Sequence, residues 1–150
     1  MITTEIGSEG RNFEFAGHLV LFDLPILPDQ LEQRIGRLDR IGQLNDIQIH
    51  IPYALKTFEE IIFTWYDKVL NAFESSPKGA NTFYEKHQNE LKELMASEFD
   101  QDLFNNKINN WSKEYQNFKK EIEEGRDIIV EAHSYHDENA RKIIKEIELI

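Results

Sequence analysis

Arg37 and Arg40, three residues apart, follow Gln33 in the run Gln33-Arg34-Ile35-Gly36-Arg37-Leu38-Asp39-Arg40-Ile41-Gly42-Gln43. Guanidinium groups are always charged and hold phosphate oxygens bidentately, so the pair suits stabilisation of negative charge building on a transferring phosphate. Read as a helix at about 100° per residue, the run places Gln33, Arg37 and Arg40 on one face and Leu31, Ile35 and Leu38 on the other. One side then packs on a core while the other presents an amide and two guanidinium forks. The same spacing also describes an ordinary amphipathic helix whose arginines are only solvated. Gly36 within such a helix costs about 1 kcal/mol relative to alanine. Close approach of a ligand or a second backbone would justify it; a merely tolerated glycine is the alternative.

The surrounding elements must hold this run in place. Asp29 is positioned to cap its helix. Before it, Leu19 to Phe22 is a continuous apolar run, as expected of a strand buried on both faces of a parallel sheet. After it, Ile47, Ile49 and Ile51 alternate with Gln48 and His50, which predicts a strand with one wetter face. From about Pro52 the pattern turns helical. Phe58, Ile62, Trp65, Val69 and Phe73 recur at steps of four and three, predicting one long amphipathic helix that Ser75-Ser76-Pro77-Lys78-Gly79 breaks. A second helix is expected over residues 80–96, with Phe83, Leu91, Leu94 and Met95 as its apolar contribution.

A third helical stretch carries a heptad seam: Phe104, Ile108, Trp111, Tyr115, Phe118, Ile122, Gly125, Ile129 and Ala132. Ala140, Ile143 and Ile147 resume it beyond a polar stretch at Ser134 to Asp137, predicting an antiparallel hairpin in which the last helix folds back there. Trp111 and Tyr115 read as seam residues rather than base-stacking platforms, and Gly125 as a close crossing or kink. The fold class is therefore α/β followed by mainly α. His87 and Glu90, one turn apart, read as a surface pair. His133 and His136, with Asp137 beside them, fall in a predicted turn with no set of further ligands obvious to complete a site, so a metal site is set aside.

The bulk properties narrow the partners. The 150 residues are 40% hydrophobic and carry a formal net charge of −11, a globular composition without the basic stripe of an autonomous nucleic-acid binder. Cysteine is absent, which removes disulfides and thiolate metal sites and fits a reducing compartment. No apolar run reaches the roughly 20 residues that span a bilayer, so no membrane partner is expected.

The arginine run resembles the sixth motif of helicase superfamily two, Gln-x-x-Gly-Arg-x-x-Arg; its extension Arg40-Ile41-Gly42-Gln43 is similar to the sucrose-non-fermenting branch. Upstream, Glu5-Ile6-Gly7-Ser8-Glu9-Gly10-Arg11-Asn12-Phe13 resembles the fifth motif, a glycine-rich turn after a strand. His18-Leu19-Val20-Leu21-Phe22-Asp23-Leu24-Pro25 follows as a strand ending in Asp and Pro. The spelling is similar to the RapA-like, RNA polymerase-associated bacterial subfamily, densely over residues 2–52 and more loosely beyond. One departure is Leu27-Pro28, where that family commonly has Asn-Pro.

The resemblance implies that residues 1–52 form the C-terminal part of a second RecA-like lobe with a partial parallel sheet, and residues 53–150 a helical extension. Neither a Gly-x-x-x-x-Gly-Lys-Ser/Thr loop nor an Asp-Glu-x-His motif occurs. In the family these belong to a first lobe that binds most of the ATP and Mg2+, so the chain is expected to be a fragment, inactive alone, completed by that lobe in cis. Arg40, as the finger, and Arg37 would then be catalytic. Gln33, Gly36 and Gly10 would contact the nucleotide; Gly7, Ser8 and Asn12 would approach a nucleic-acid backbone. Glu9 is a poor phosphate contact and is expected to orient Arg11 or a motif-six arginine. Double-stranded DNA and RNA polymerase are the implied partners, in the bacterial cytoplasm or nucleoid. A non-enzymatic helical interaction module on a degenerate lobe is the competing expectation.

Overall fold

The computed structural model describes residues 17–38 and 46–147, with side chains through residue 125. Two short strands, β1 (His18–Val20) and β2 (Gln48–His50), pair in parallel with His18 opposite Gln48, Leu19 opposite Ile49 and Val20 opposite His50. The Gln48 amide donates to the Gly17 carbonyl and the Leu21 amide to that of His50, both at 2.9 Å. Parallel strands need a crossover connection, and helix α1 (Pro28–Ile35) lies within it. Leu19, Leu21 and Ile49 turn to the core, Leu21 buried; Val20 and Phe22 are exposed, Phe22 at 75%. The expectation of burial on both faces thus fails for the Leu19 to Phe22 run, because the described sheet packs on one side only. The wetter face of β2 is as expected, with Gln48 and His50 exposed.

Helix α2 (Phe58–Thr64) starts at Thr57, whose side chain accepts from the Glu59 amide. Glu60 accepts from the Lys56 amide at 2.5 Å, so orphan donors of the first turn and its approach are satisfied. The helix then widens into a π-helical turn over Trp65–Val69 and ends near Asn71, whose left-handed φ of 52° stops it. Consequently Trp65 and Tyr66, neighbours in sequence, are both fully buried. The predicted single helix through Phe73 is therefore cut short, and its first seam residue, Phe58, is 55% exposed.

Helix α3 (Ala80–Ala96) has the predicted bounds, and α4 (Gln101–Ile147) is one continuous helix. These two make the antiparallel hairpin: Phe83 meets Tyr115 and Phe118, His87 meets Trp111, and Lys107 bonds Glu90. The reversal thus falls at residues 97–100, not at Ser134 to Asp137, where the backbone stays helical. No proline or glycine interrupts residues 126–147, so the polar stretch has nothing to stop a helix. The seam expected on α4 is real where side chains are described: Phe104, Ile108, Trp111 and Tyr115 are buried. Trp65 joins the layers, edge-on to Trp111 at 5.1 Å and stacked on Phe83 at 5.7 Å.

Close approach occurs at Gly79 rather than Gly125, where an added Cβ would meet nothing within 4 Å. A Cβ on Gly79 would lie 2.6 Å from Ile122 Cδ1 and 2.8 Å from Phe118 Cε1, and its φ is +68°. Gly79→Ala is expected to destabilise the chain by about 2–4 kcal/mol, combining a left-handed backbone penalty with crowding. Urea unfolding measures it; an unchanged midpoint would contradict this packing.

Candidate functional site

The segment bearing Arg37 is anchored by what surrounds α1. Leu31 of α1 is buried in the same core as Ile61, Trp65 and Tyr66. Leu27 occupies the N-cap position with no side-chain cap bond, and Pro28 supplies the first turn. Asp29 is therefore not the cap; its carboxylate accepts from the Asn81 amide of α3. Glu32 accepts from the Ser76 hydroxyl at 3.1 Å. Arg34 donates to the Asp23 carbonyl at 2.8 Å and pairs with the Asp23 carboxylate at 3.3 Å. The Tyr66 hydroxyl donates to the Pro25 carbonyl at 2.7 Å. Burial, with help from Tyr84, pushes the Tyr66 phenol well up, so it stays a proton donor at any ordinary pH.

The helix ends at Ile35. Gly36 is its C-cap, donating to the Glu32 carbonyl at 2.8 Å, and the Leu38 amide returns to the Ile35 carbonyl at 3.0 Å. Arg37 thus sits half-exposed on a tight turn beyond the helix, and Gln33 is exposed in the last helical turn. The helix expected to carry Gln33 and Arg37 on one face stops before Arg37, so those two do not share a regular helical face. The apolar face is formed: Leu31 and Leu38 are buried and Ile35 is half-buried. A Cβ at Gly36 would meet the Glu32 carbonyl oxygen at 3.0 Å, so the nearest crowding there is the helix's own last turn. Arg40, Gly7, Ser8, Gly10 and Asn12 lie outside the described residues, as do Glu9 and Arg11.

A second polar group sits in the α3–α4 hairpin and is not the surface pair expected. His87 is buried against Phe83 at 4.6 Å, its Nε2 3.3 Å from Glu114 Oε1 and its Nδ1 4.0 Å from Glu90 Oε1. Neither ring nitrogen has a hydrogen-bond partner among the described residues. Lysines hold the carboxylates instead. A hydrogen bond from Lys107 lowers the Glu90 pKa, and one from Lys86, at 2.5 Å, lowers that of Glu114.

Sequence reasoning missed Asp23, Arg34 and Tyr66. The first two stand inside the motif run, where a strand-end acid facing a helix-borne arginine could have been matched. Tyr66 carried no such signal: its bond spans 41 residues, and helical periodicity assigned the inward position to Trp65 alone.

Among the described residues no helix is long and apolar enough to cross a membrane. Residues 46–150 match the family described as RNA polymerase recycling family C-terminal, and residues 1–42 match the helicase conserved C-terminal domain. The first match covers more than half of the chain and contains α2, α3 and α4; the second contains β1 and α1. The two strands that pair, β1 and β2, therefore come one from each matched region. The chain belongs to the RNA polymerase recycling family, as a RapA-like C-terminal region of helicase superfamily two.

Proposed function

We propose that this chain is part of an ATP-driven translocase on double-stranded DNA that recycles RNA polymerase in the bacterial cytoplasm, and that it supplies arginine fingers to an ATP site shared with a first RecA-like lobe. The observation carrying this reading is the helicase-domain match over residues 1–42, which contains α1 and the arginine run that follows it. Arg37, half-exposed on its turn, is chemically suited to an anionic phosphate. In this reading Arg40 is the finger and Arg37 its neighbour. Gln33, Gly36 and Gly10 lie on the nucleotide, and Gly7, Ser8 and Asn12 on the nucleic-acid backbone. ATP supplies the transferable phosphoryl group, and Mg2+ is held by acids of the other lobe. This chain's part is positive charge, fixed in place before the phosphate becomes more negative.

The net charge of −11 argues that DNA binding belongs to the assembled motor rather than to this region alone. The direct test compares ATP hydrolysis by residues 1–150 alone with that of the intact protein, with and without DNA. The expected result is DNA-stimulated turnover by the intact protein and none by the isolated region. Hydrolysis by residues 1–150 alone would contradict a shared site. RNA polymerase binding with no hydrolysis by the intact protein would favour the non-enzymatic interaction module.

A further inference from the structure

The arginine turn is held from the helical half, not only from its own sheet. Pro25 lies in the loop between β1 and α1, three residues before the helix begins, and its carbonyl accepts from Tyr66 on the π-helical turn at 2.7 Å. Two residues earlier, the Asp23 carbonyl accepts from Arg34, in the last turn of α1, at 2.8 Å. Arg34 is three residues from Arg37. The loop is therefore pinned at one point by the helical half and at another by the helix end that leads into Arg37.

We propose that Tyr66 is a positioning residue for the arginine turn: its hydroxyl fixes the loop before α1, and the loop, through Asp23 and Arg34, sets where Arg37 lies. This rests on the phosphate role proposed above for Arg37. The geometry favours such a role over simple core filling. The widened turn over Trp65–Val69 is the feature that leaves both Trp65 and Tyr66 inside, and π-turns of this kind are frequent at functional positions. The bond also crosses between the two matched family regions, residues 1–42 and 46–150. Anything that shifts the π-turn against the loop changes the reach of Arg37, which makes the helical half a control on turnover.

Tyr115 provides a matched control. Its hydroxyl is likewise bonded to a main-chain carbonyl, that of Lys78 at 3.0 Å, but both partners lie in the helical half. Burial pushes its pKa up to about 12, so it too remains a neutral donor. Tyr66→Phe and Tyr115→Phe each delete one oxygen and keep the ring.

In the full-length protein, Tyr66→Phe is expected to lower kcat for ATP about tenfold with KM unchanged, since misplacement of around 1 Å costs up to about 10²-fold. Tyr115→Phe is expected to leave kcat within about twofold of wild type while shifting Tm comparably. A cycle with Arg37→Lys completes the test. If Tyr66 acts through Arg37, Tyr66→Phe lowers kcat no further in the Arg37→Lys background. Unchanged kcat in Tyr66→Phe, an equal loss in Tyr115→Phe, or a full tenfold loss persisting beside Arg37→Lys would each overturn the proposal. Wild-type kcat in Arg37→Lys and Arg37→Ala would instead reject the phosphate role itself, a failure distinguishable from that of Tyr66.

Discussion

Alanine at Arg40 in the full-length protein will reduce kcat for ATP hydrolysis by about 10³–10⁵-fold, the range typical of an arginine finger. The loss should fall on kcat and kcat/KM together, because the guanidinium is proposed to gain its contact chiefly as charge develops in the transition state. Lysine at Arg40 should recover little of it, since an ammonium is a compact point charge that cannot fork across two oxygens. Thermal unfolding should be nearly unchanged, which separates lost chemistry from lost fold. A merely solvated arginine would give a change of less than about twofold and a stability effect within about 0.5 kcal/mol. The two accounts thus differ by orders of magnitude in steady-state kinetics.

Trp65→Ala is expected to have the largest effect on stability, about 3–5 kcal/mol, as for other fully buried aromatic truncations. Trp65 is 0% exposed, edge-on to Trp111 and stacked on Phe83, so it bridges the π-turn, α3 and α4. A loss of that size is a large share of the roughly 5–15 kcal/mol that holds a typical domain together. Trp65→Phe should cost much less. It keeps an aromatic filler and removes a buried indole N–H that finds no acceptor among the described residues. Urea titration followed by circular dichroism measures both variants. A shift of under about 1 kcal/mol for Trp65→Ala would mean that these rings do not pack as described. Because Leu31 of α1 shares this core, the alanine variant should also loosen the arginine turn.

What was legible in the sequence follows the range of the interactions that made it. Helix α3 was readable because Ser75 to Gly79 breaks the chain before it and Phe83, Leu91 and Leu94 repeat at helical spacing. The α4 seam was readable for the same reason over Phe104 to Tyr115. The chain reverses one connection earlier than the polar stretch suggests, between α3 and α4. That reversal is signalled by Asp100, whose carboxylate caps α4 by accepting from the Leu103 amide at 2.8 Å. The polar residues Ser134 to Asp137 looked more turn-like and are helical.

The π-turn could not be read, because a period of 3.6 chooses between Trp65 and Tyr66 and the fold buries both. The same limit applied at the candidate site. Apolar spacing identifies the inner face, Leu31 and Leu38, but does not show that the backbone turns at Gly36. The bond from Tyr66 to Pro25 depends on tertiary docking across 41 residues and leaves no local trace in the sequence.

The most direct measurement is a structure of the intact protein with Mg2+, ADP and a planar metal fluoride in the γ-phosphate position. The Arg40 guanidinium is expected about 3 Å from the fluorines, with Arg37 beside it and the loop still bonded to Tyr66. Guanidinium groups of Arg37 and Arg40 both engaged by nearby carboxylates, facing away from the occupied nucleotide site, would contradict it.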